Sequence, residues 1–331
     1  MPGIVKSKKM QLGLEATKGT AVAATIMWRG QSKWKDERIL KVVNEEIGQV
    51  LGKARMYEAS RIATITFEPI EATFEHLPYI LSAGIEDIVA GAADGTGSSK
   101  IYEYNFPVAS TMNAIKSYTI ECGDSNRADE FEYCFVQSFK LTAAPRDGIK
   151  VSAVWLGRQA TDAEFTSLTP ATVEEMVFQK SKLYLDATGG TIGTTQKTAT
   201  VRGWEISVDT GLEGLFTADG QLYYAGMNNV GHKITGTFTV LHDAIGEAEI
   251  NFARARTVRL LKILVEGSAV ATPGTTYTYK TFAFTTAIQY DGVPDLADQD
   301  GNVTVPLKWH SVDSDSIIPT MIVVREGTPL T

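Results

Sequence analysis

Hydrophobic and polar positions alternate along much of this chain, with the two-residue period of an extended strand that buries one face. From Ala63, the positions Ala63, Ile65, Phe67 and Pro69 fall on one side and Thr64, Thr66 and Glu68 on the other. The same phase returns at Ile234, Gly236, Phe238 and Val240, opposed by Thr235, Thr237 and Thr239. Two later segments alternate as well: Ile149, Val151, Ala153 and Trp155, then Val303, Val305, Leu307 and Trp309. A slip of one residue would turn each of these faces outward, so the pattern predicts half-buried antiparallel sheet in a fixed register. Tyr102, Tyr104 and Phe106 predict one further strand face. Helical spacing is scarce. Phe74, Leu77 and Leu81 give one short stripe, with Pro78 either in its first turn or kinking it and Gly84 just past its end. Ile245, Ala248, Phe252 and Ala255 give another, behind Asp243 as N-cap.

The chain also repeats itself. Leu12-Gly13-Leu14-Glu15-Ala16-Thr17-Lys18-Gly19-Thr20 returns as Leu183-Tyr184-Leu185-Asp186-Ala187-Thr188-Gly189-Gly190-Thr191, at an offset of 171 positions (188 minus 17). Trp28-Arg29-Gly30 lines up with Val201-Arg202-Gly203, slightly out of that phase. Thr64-Ile65-Thr66-Phe67 then meets Thr235-Gly236-Thr237-Phe238, and Asp147-Gly148 with Trp155 meets Asp300-Gly301 with Trp309. Matches in the same order predict a tandem duplication, with modules at 1–172 and 173–331 joined through the stretch from Ser167 to Met176. The predicted fold class is mainly β: antiparallel sheets that form a sandwich or barrel, with one short flanking helix per module. Asp36 to Ser60 and Asp209 to Gly231 read as long loops matched in position, and Ala90 to Lys100 as a flexible surface loop.

Composition narrows the function classes. A length of 331 residues suits two domains, and 44% hydrophobic with 21% charged residues fits a folded chain. A net charge of -8 argues against general nucleic-acid binding, yet it permits a surface past which nucleic acid slides. Lys6, Lys8 and Lys9 have no apolar run behind them, which reads as no secretory signal. Leu260 to Val265, interrupted by Lys262, is far short of a membrane span. Cys122 and Cys134 lie in strand-like segments without metal-ligand spacing and are expected to be reduced, partly buried thiols, so folding is expected in a cytoplasm.

Candidate chemistry is sparse. His76, His232, His242 and His310 show no paired metal spacing. The run His310 to Ser316 holds the letters of a hydrolase triad, but neighbouring side chains on a strand point in alternating directions. Asp298, Asp300 and Asn302 around Gly301 lack the closing Glu of a calcium loop. Gly91, Gly95 and Gly97 lack the Lys-Ser/Thr that completes a phosphate cradle. No catalytic, cofactor-binding or metal-binding residue is expected, and the chain is expected not to be an enzyme.

With the repeat in hand, two segments resemble the two-module tail-tube proteins (major tail proteins) of long-tailed siphophages. They are Gln11 to Thr25, around Leu12-Gly13-Leu14-Glu15-Ala16-Thr17-Lys18-Gly19-Thr20, and the helix region Ala72 to Ile85. The resemblance implies a structural virion protein whose modules contribute sheet to a closed β-barrel ring. Rings would stack into the tube through which DNA is ejected. Two modules per chain imply a homotrimeric, pseudo-hexameric ring, with a homohexamer as the alternative. The implied partners are sister copies, a tape-measure protein and tail terminator and tip proteins, with phage DNA passing through the lumen without specific binding and no membrane insertion. The implied place is the virion tail, assembled in the host cytoplasm. A tube of a contractile tail is a near variant, and a surface-displayed β-sandwich that binds glycans through exposed aromatics is the rival reading. Ile39, Leu40, Val42, Val43, Ile47, Val50 and Leu51, with Leu215, Phe216, Tyr223 and Tyr224, are the expected contacts between stacked rings, because they place more apolar surface in loops than a free loop carries. The acidic balance leads to the further expectation of a carboxylate-lined bore that repels phosphate.

Overall fold

A computed structural model describes residues 7–45, 47–48, 53–108, 111–314 and 317–330, with the backbone alone at 53 and 54. Strands take 52% of the described residues and helices 8%, so the mainly β, antiparallel fold read from the alternation is the one adopted. The first half runs through β1 (Lys9–Leu14), β2 (Ile26–Trp28), β3 (Ser32–Glu45), β4 (Lys53–Glu71) and helix α1 (Leu77–Gly84). It continues with β5 (Ala92–Ala93), β6 (Ser99–Asn105), β7 (Tyr118–Gly123), β8 (Ala128–Ala143), β9 (Lys150–Gly157) and β10 (Ala160–Ala163). The second half holds β11 (Ser181–Ala187), β12 (Val201–Asp209), β13 (Leu212–Leu215), β14 (Gly226–Asn229), β15 (Lys233–Leu241) and helix α2 (Ala244–Ala255). It ends with β16 (Arg259–Ala269), β17 (Tyr279–Tyr290), β18 (Ala297–Gln299), β19 (Asn302–Ser311) and β20 (Thr320–Glu326).

The hydrogen-bonded strand order of the first half is β1–β7–β8–β9–β4–β3, antiparallel throughout, with β10 along the first part of β8. The second half reads β11–β16–β17–β19–β15–β12, with β20 along the first part of β17. In these six positions the two orders coincide, and each helix follows the equivalent strand, β4 or β15, although β5 and β6 come between α1 and β7 with no counterpart after α2. The halves meet edge to edge: Ser138 to Ala143 of β8 pair with Asp209 to Trp204 of β12. A second joint pairs β6 with β20. One buried core runs through both halves and includes Phe67, Trp155, Phe238 and Trp309.

The repeated motif has a physical basis. Its leucines Leu12, Leu183 and Leu185 are buried, and its acid is a buried carboxylate that gathers loop donors. Glu15 accepts from the amides of Gly19 and Tyr133, both at 2.7 Å, and from the hydroxyls of Ser117 (2.6 Å) and Thr119 (3.1 Å). Asp186 accepts from the amides of Gly193 (2.7 Å), Thr194 (3.2 Å) and Thr195 (2.8 Å) and from the Thr194 hydroxyl (2.7 Å). Burial works against ionisation of Asp186, but the donors on Thr194, Thr195 and Gly193 outweigh it and hold the carboxyl at about 2.

Several expectations change. Pro69 is exposed, because a bulge between Phe67 and Ile70 rotates the strand after Phe67. Gly84 closes α1 rather than following it, and a Cβ there would come within 3.2 Å of Thr210 and Val136. All eight α1 residues are buried, so the helix has no solvent face. Asp243 does cap α2, accepting from the Ile245 and Gly246 amides. The buried face of α2 is Gly246, Glu249, Ile250 and Ala253, not the stripe that starts at Ile245. Glu249 turns the helix that way. Its carboxylate lies 3.0 Å from Arg259 Nη2 and 3.2 Å from Lys197 Nζ, and it accepts the Tyr290 hydroxyl at 2.7 Å. Val303 is exposed although its partners in the alternation are buried. Ala90 to Lys100 is no free loop: it contains β5, and Asp94 accepts the amides of Thr276 and Tyr277 from the second half, both at 2.8 Å.

Candidate functional site

The edge-to-edge joint makes one continuous sheet in the order β3–β4–β9–β8–β12–β15–β19. One face carries Ile65, Phe67, Trp155, Leu141, Ile206, Phe238 and Trp309, all buried. Gly236 belongs to that face, and the Trp309 indole occupies the space where its Cβ would stand, at 2.3 Å. The opposite face is rich in hydroxyls, with Thr64, Thr66, Ser152, Thr142, Ser207, Thr235, Thr237 and Thr239, and is open except where Leu212 and Tyr224 cover Leu156 and Phe135. Its charges are largely paired. Lys33 lies 2.8 Å from Glu68, Lys35 3.1 Å from Glu37 and Lys140 2.9 Å from Glu205. Lys150, Lys233 and Lys308 lie on this face too, as do Glu71 and Asp209, so lysines and carboxylates are mixed and the acidity of the whole chain is not concentrated here. Such a surface offers hydrogen bonds and short-range ion pairs but no cluster of one sign.

Past the edge of that sheet, β3 and β4 continue together as a hairpin arm. The stretch Asp36 to Ser60, expected as a loop, is strand along both sides from Asp36↔Ala63 to Glu45↔Lys53. Its β-branched and aromatic residues favour extended pairing, and neither face finds a core to bury against. Leu40, Val42 and Met56 share one face, with Val42 directly opposite Met56. These three are 54%, 56% and 65% exposed. Ile39, Val43, Ile47 and Tyr57 are exposed as well. Apolar exposure this concentrated on a protruding ribbon marks an interaction surface. Val50 and Leu51 lie outside the described residues.

The second group of expected contacts divides. Asp209 to Gly231 contains the small hairpin β13–β14, folded back on the first half. Leu215 and Phe216 are each 47% exposed and available for contact. Tyr223 is half-buried under the Arg158 guanidinium, 5.0 Å from its ring centroid. Tyr224 is not a surface residue. It is fully buried against Tyr133 and Phe135 and donates its hydroxyl to the Tyr133 carbonyl at 2.8 Å. Arg158, which no sequence pattern singles out, ties this hairpin down by donating to the carbonyls of Tyr224 and Ala225, both at 3.0 Å.

The remaining chemistry reads as structure. Cys122 and Cys134 are buried and free, and burial pushes the Cys122 thiol up to about 12. His310 Nδ1 is 2.5 Å from Asp291, but the Ser311 hydroxyl bonds Thr286 at 2.6 Å instead of the imidazole. His76 is buried beside α1 and stacked on Trp28; burial, with Arg29 and Arg325 nearby, pushes its pKa down to about 4. Asp300 and Gly301 both have positive φ and form the tight turn between β18 and β19, and Asp300 pairs with Arg202 at 2.7 Å. Among the described residues, no three His, Cys, Asp or Glu side chains converge as metal ligands, and no helix is long and apolar enough to cross a membrane. Tyr102, Tyr104, Phe106, Trp155 and Trp309 are buried, so none of these is open to stack on a sugar ring. No protein-family model matches the chain, and no curated protein matches it in sequence.

Proposed function

We propose that this chain is a structural virion protein, the major tail-tube subunit of a long-tailed phage, and that it arose by tandem duplication of one sheet-forming module. The observation that carries the reading is the matching strand order of the two halves, joined edge to edge through β8 and β12 while the outer edge of β3 pairs with no strand among the described residues. A sheet assembled in this way from repeated units is completed when further copies extend it until it closes, which removes every open edge. Contacts that close by rotation give rings, and rings that stack face to face give a tube.

In this reading three copies supply six modules to a pseudo-hexameric ring. The hydroxyl-rich face of the seven-stranded sheet lines the bore, and the hairpin arm reaches the next ring, with Leu215 and Phe216 as secondary contacts. The bore then works by lacking a strong field of either sign: paired lysines and glutamates give passing DNA neither a basic surface to adhere to nor the carboxylate wall expected from net charge alone. The protein performs no catalytic step. It meets a tape-measure protein inside the tube and terminator and tip proteins at its ends, after assembly in the host cytoplasm. Native mass spectrometry of the purified protein tests the subunit count. The expected species are multiples of three of the 35.9 kDa chain. A monomer that persists at every concentration would refute the reading, and multiples of six without a trimer would replace the trimeric ring by a hexameric one.

A further inference from the structure

The joint inside the chain specifies the joint between chains. Phe67 pairs with Ser32 and Phe238 with Trp204, so Ser32 occupies in the first half the place that Trp204 occupies in the second. Lys33 therefore stands where Glu205 does, Trp34 where Ile206 does and Lys35 where Ser207 does. On the other side, Trp155 and Trp309 lie opposite equivalent residues of β4 and β15, which makes Lys150 equivalent to Thr304. Lys150 pairs with Thr142 of β8, and Thr304 pairs with Ala297 of β18. Ala297 thus takes the place of Thr142, Leu296 that of Leu141 and Asp295 that of Lys140.

We propose that the free edge of β3 in one copy pairs with β18 and the segment just before it (residues 293–296) in the next copy, in the register that β12 and β8 use within the chain. The inference rests on the tube reading for the existence of an assembly and adds the identity and register of its lateral contact. Charge supports the occupant. Inside the chain, Lys140 and Glu205 form the 2.9 Å ion pair that bridges the joint diagonally. Between copies the same two places hold Asp295 and Lys33, with the signs exchanged and the attraction kept. Lys35 falls directly opposite Asp295. Packing supports it too. Ile206 and Leu141 face each other across the internal joint and are fully buried. Their counterparts are Trp34, half-buried at the edge, and Leu296, which is 54% exposed. Val303 beside it is 51% exposed, whereas its counterpart in the first half, Ile149, is fully buried. Among the described residues β18 pairs only with β19 and β3 only with β4, so both edges are free to accept a strand.

Two variants test this. Lys35→Cys with Asp295→Cys places thiols on directly opposed residues of the proposed ladder, while Cys122 and Cys134 are too buried to compete. In assembled protein under mild oxidation, the expected result is a reducible ladder of covalently linked copies, absent from Lys41→Cys with Asp295→Cys. Separately, Lys33→Glu with Lys35→Glu should raise the concentration needed for assembly at least ~10-fold, and adding Asp295→Lys should restore it. Assemblies that form without the cross-link, or that ignore both charge changes, would overturn this contact and leave the tube reading standing. A wild-type chain that never associates would overturn both.

Discussion

Replacing Leu40, Val42 and Met56 together by Thr should separate folding from tube growth. Threonine has the β-branched shape that strands favour, and all three side chains already face solvent in the single chain, so each change should cost folding no more than about 0.5 kcal/mol. Docking is different. Complete burial of a side chain of this size is worth ~1.5–3 kcal/mol, and with 54%, 56% and 65% still exposed, covering the remainder yields about 1 kcal/mol each. Crediting threonine with its methyl leaves a loss of about 2 kcal/mol per arm, or ~30-fold in the association constant for each contact. In the proposed tube several arms would engage at once between two rings, so the losses would multiply and lengthening should stop at single or few-ring particles. Sedimentation velocity combined with length distributions from electron microscopy reads this directly, with thermal unfolding as the control. Tubes of normal length from the triple variant, at unchanged protein concentration, would refute the role assigned to the arm.

Three further outcomes follow from buried polar groups. The ordinary Asp value of 3.8 falls to about 2 at Asp186, which makes the ionised form worth about 2 kcal/mol to the fold. That stability is present above pH 3.8 and lost as pH falls through 2; Asp186→Asn should remove it at neutral pH, as measured by urea unfolding, and an unchanged midpoint would contradict the capping role. His76 is held neutral, with its pKa lowered from 6.5 to about 4, so folding stability should drop by about 3 kcal/mol as pH falls across that window. His76→Gln should flatten the thermal midpoint between pH 6.5 and pH 4, and a slope equal to the parent's would show the wrong group was chosen. Glu249→Ala leaves the guanidinium of Arg259 buried without its partner and should cost ~3–5 kcal/mol in chemical denaturation; a loss under about 1 kcal/mol would mean Arg259 finds water or another acceptor.

The alternating strands and the repeated acid-bearing motif were legible because one face of each strand meets a core and because Glu15 and Asp186 do the same work at equivalent strand ends. The hairpin arm was not legible as strand, since Ile39 to Val43 have no buried side to set a two-residue rhythm. Its apolar content is legible all the same, and Ile39, Leu40, Val42 and Val43 are exposed. Tyr224 misled because two adjacent tyrosines in a glycine-flanked stretch look exposed, whereas the tight approach of Gly214 to the Tyr224 ring holds that residue inward. The face of α2 was misread because a buried Glu counts as polar until Arg259, Lys197 and Tyr290, distant in sequence, are brought to it. Net charge gave no guide to the sheet's open face, where ion pairs are set by strand register rather than by composition.

Electron microscopy of the purified full chain bears most directly on the claim that its two halves are successive segments of a closed sheet. Hollow rings of uniform diameter, seen singly or stacked end to end, are the predicted image. A field of compact single particles with no central opening, at concentrations where the protein is monodisperse and folded, would contradict it.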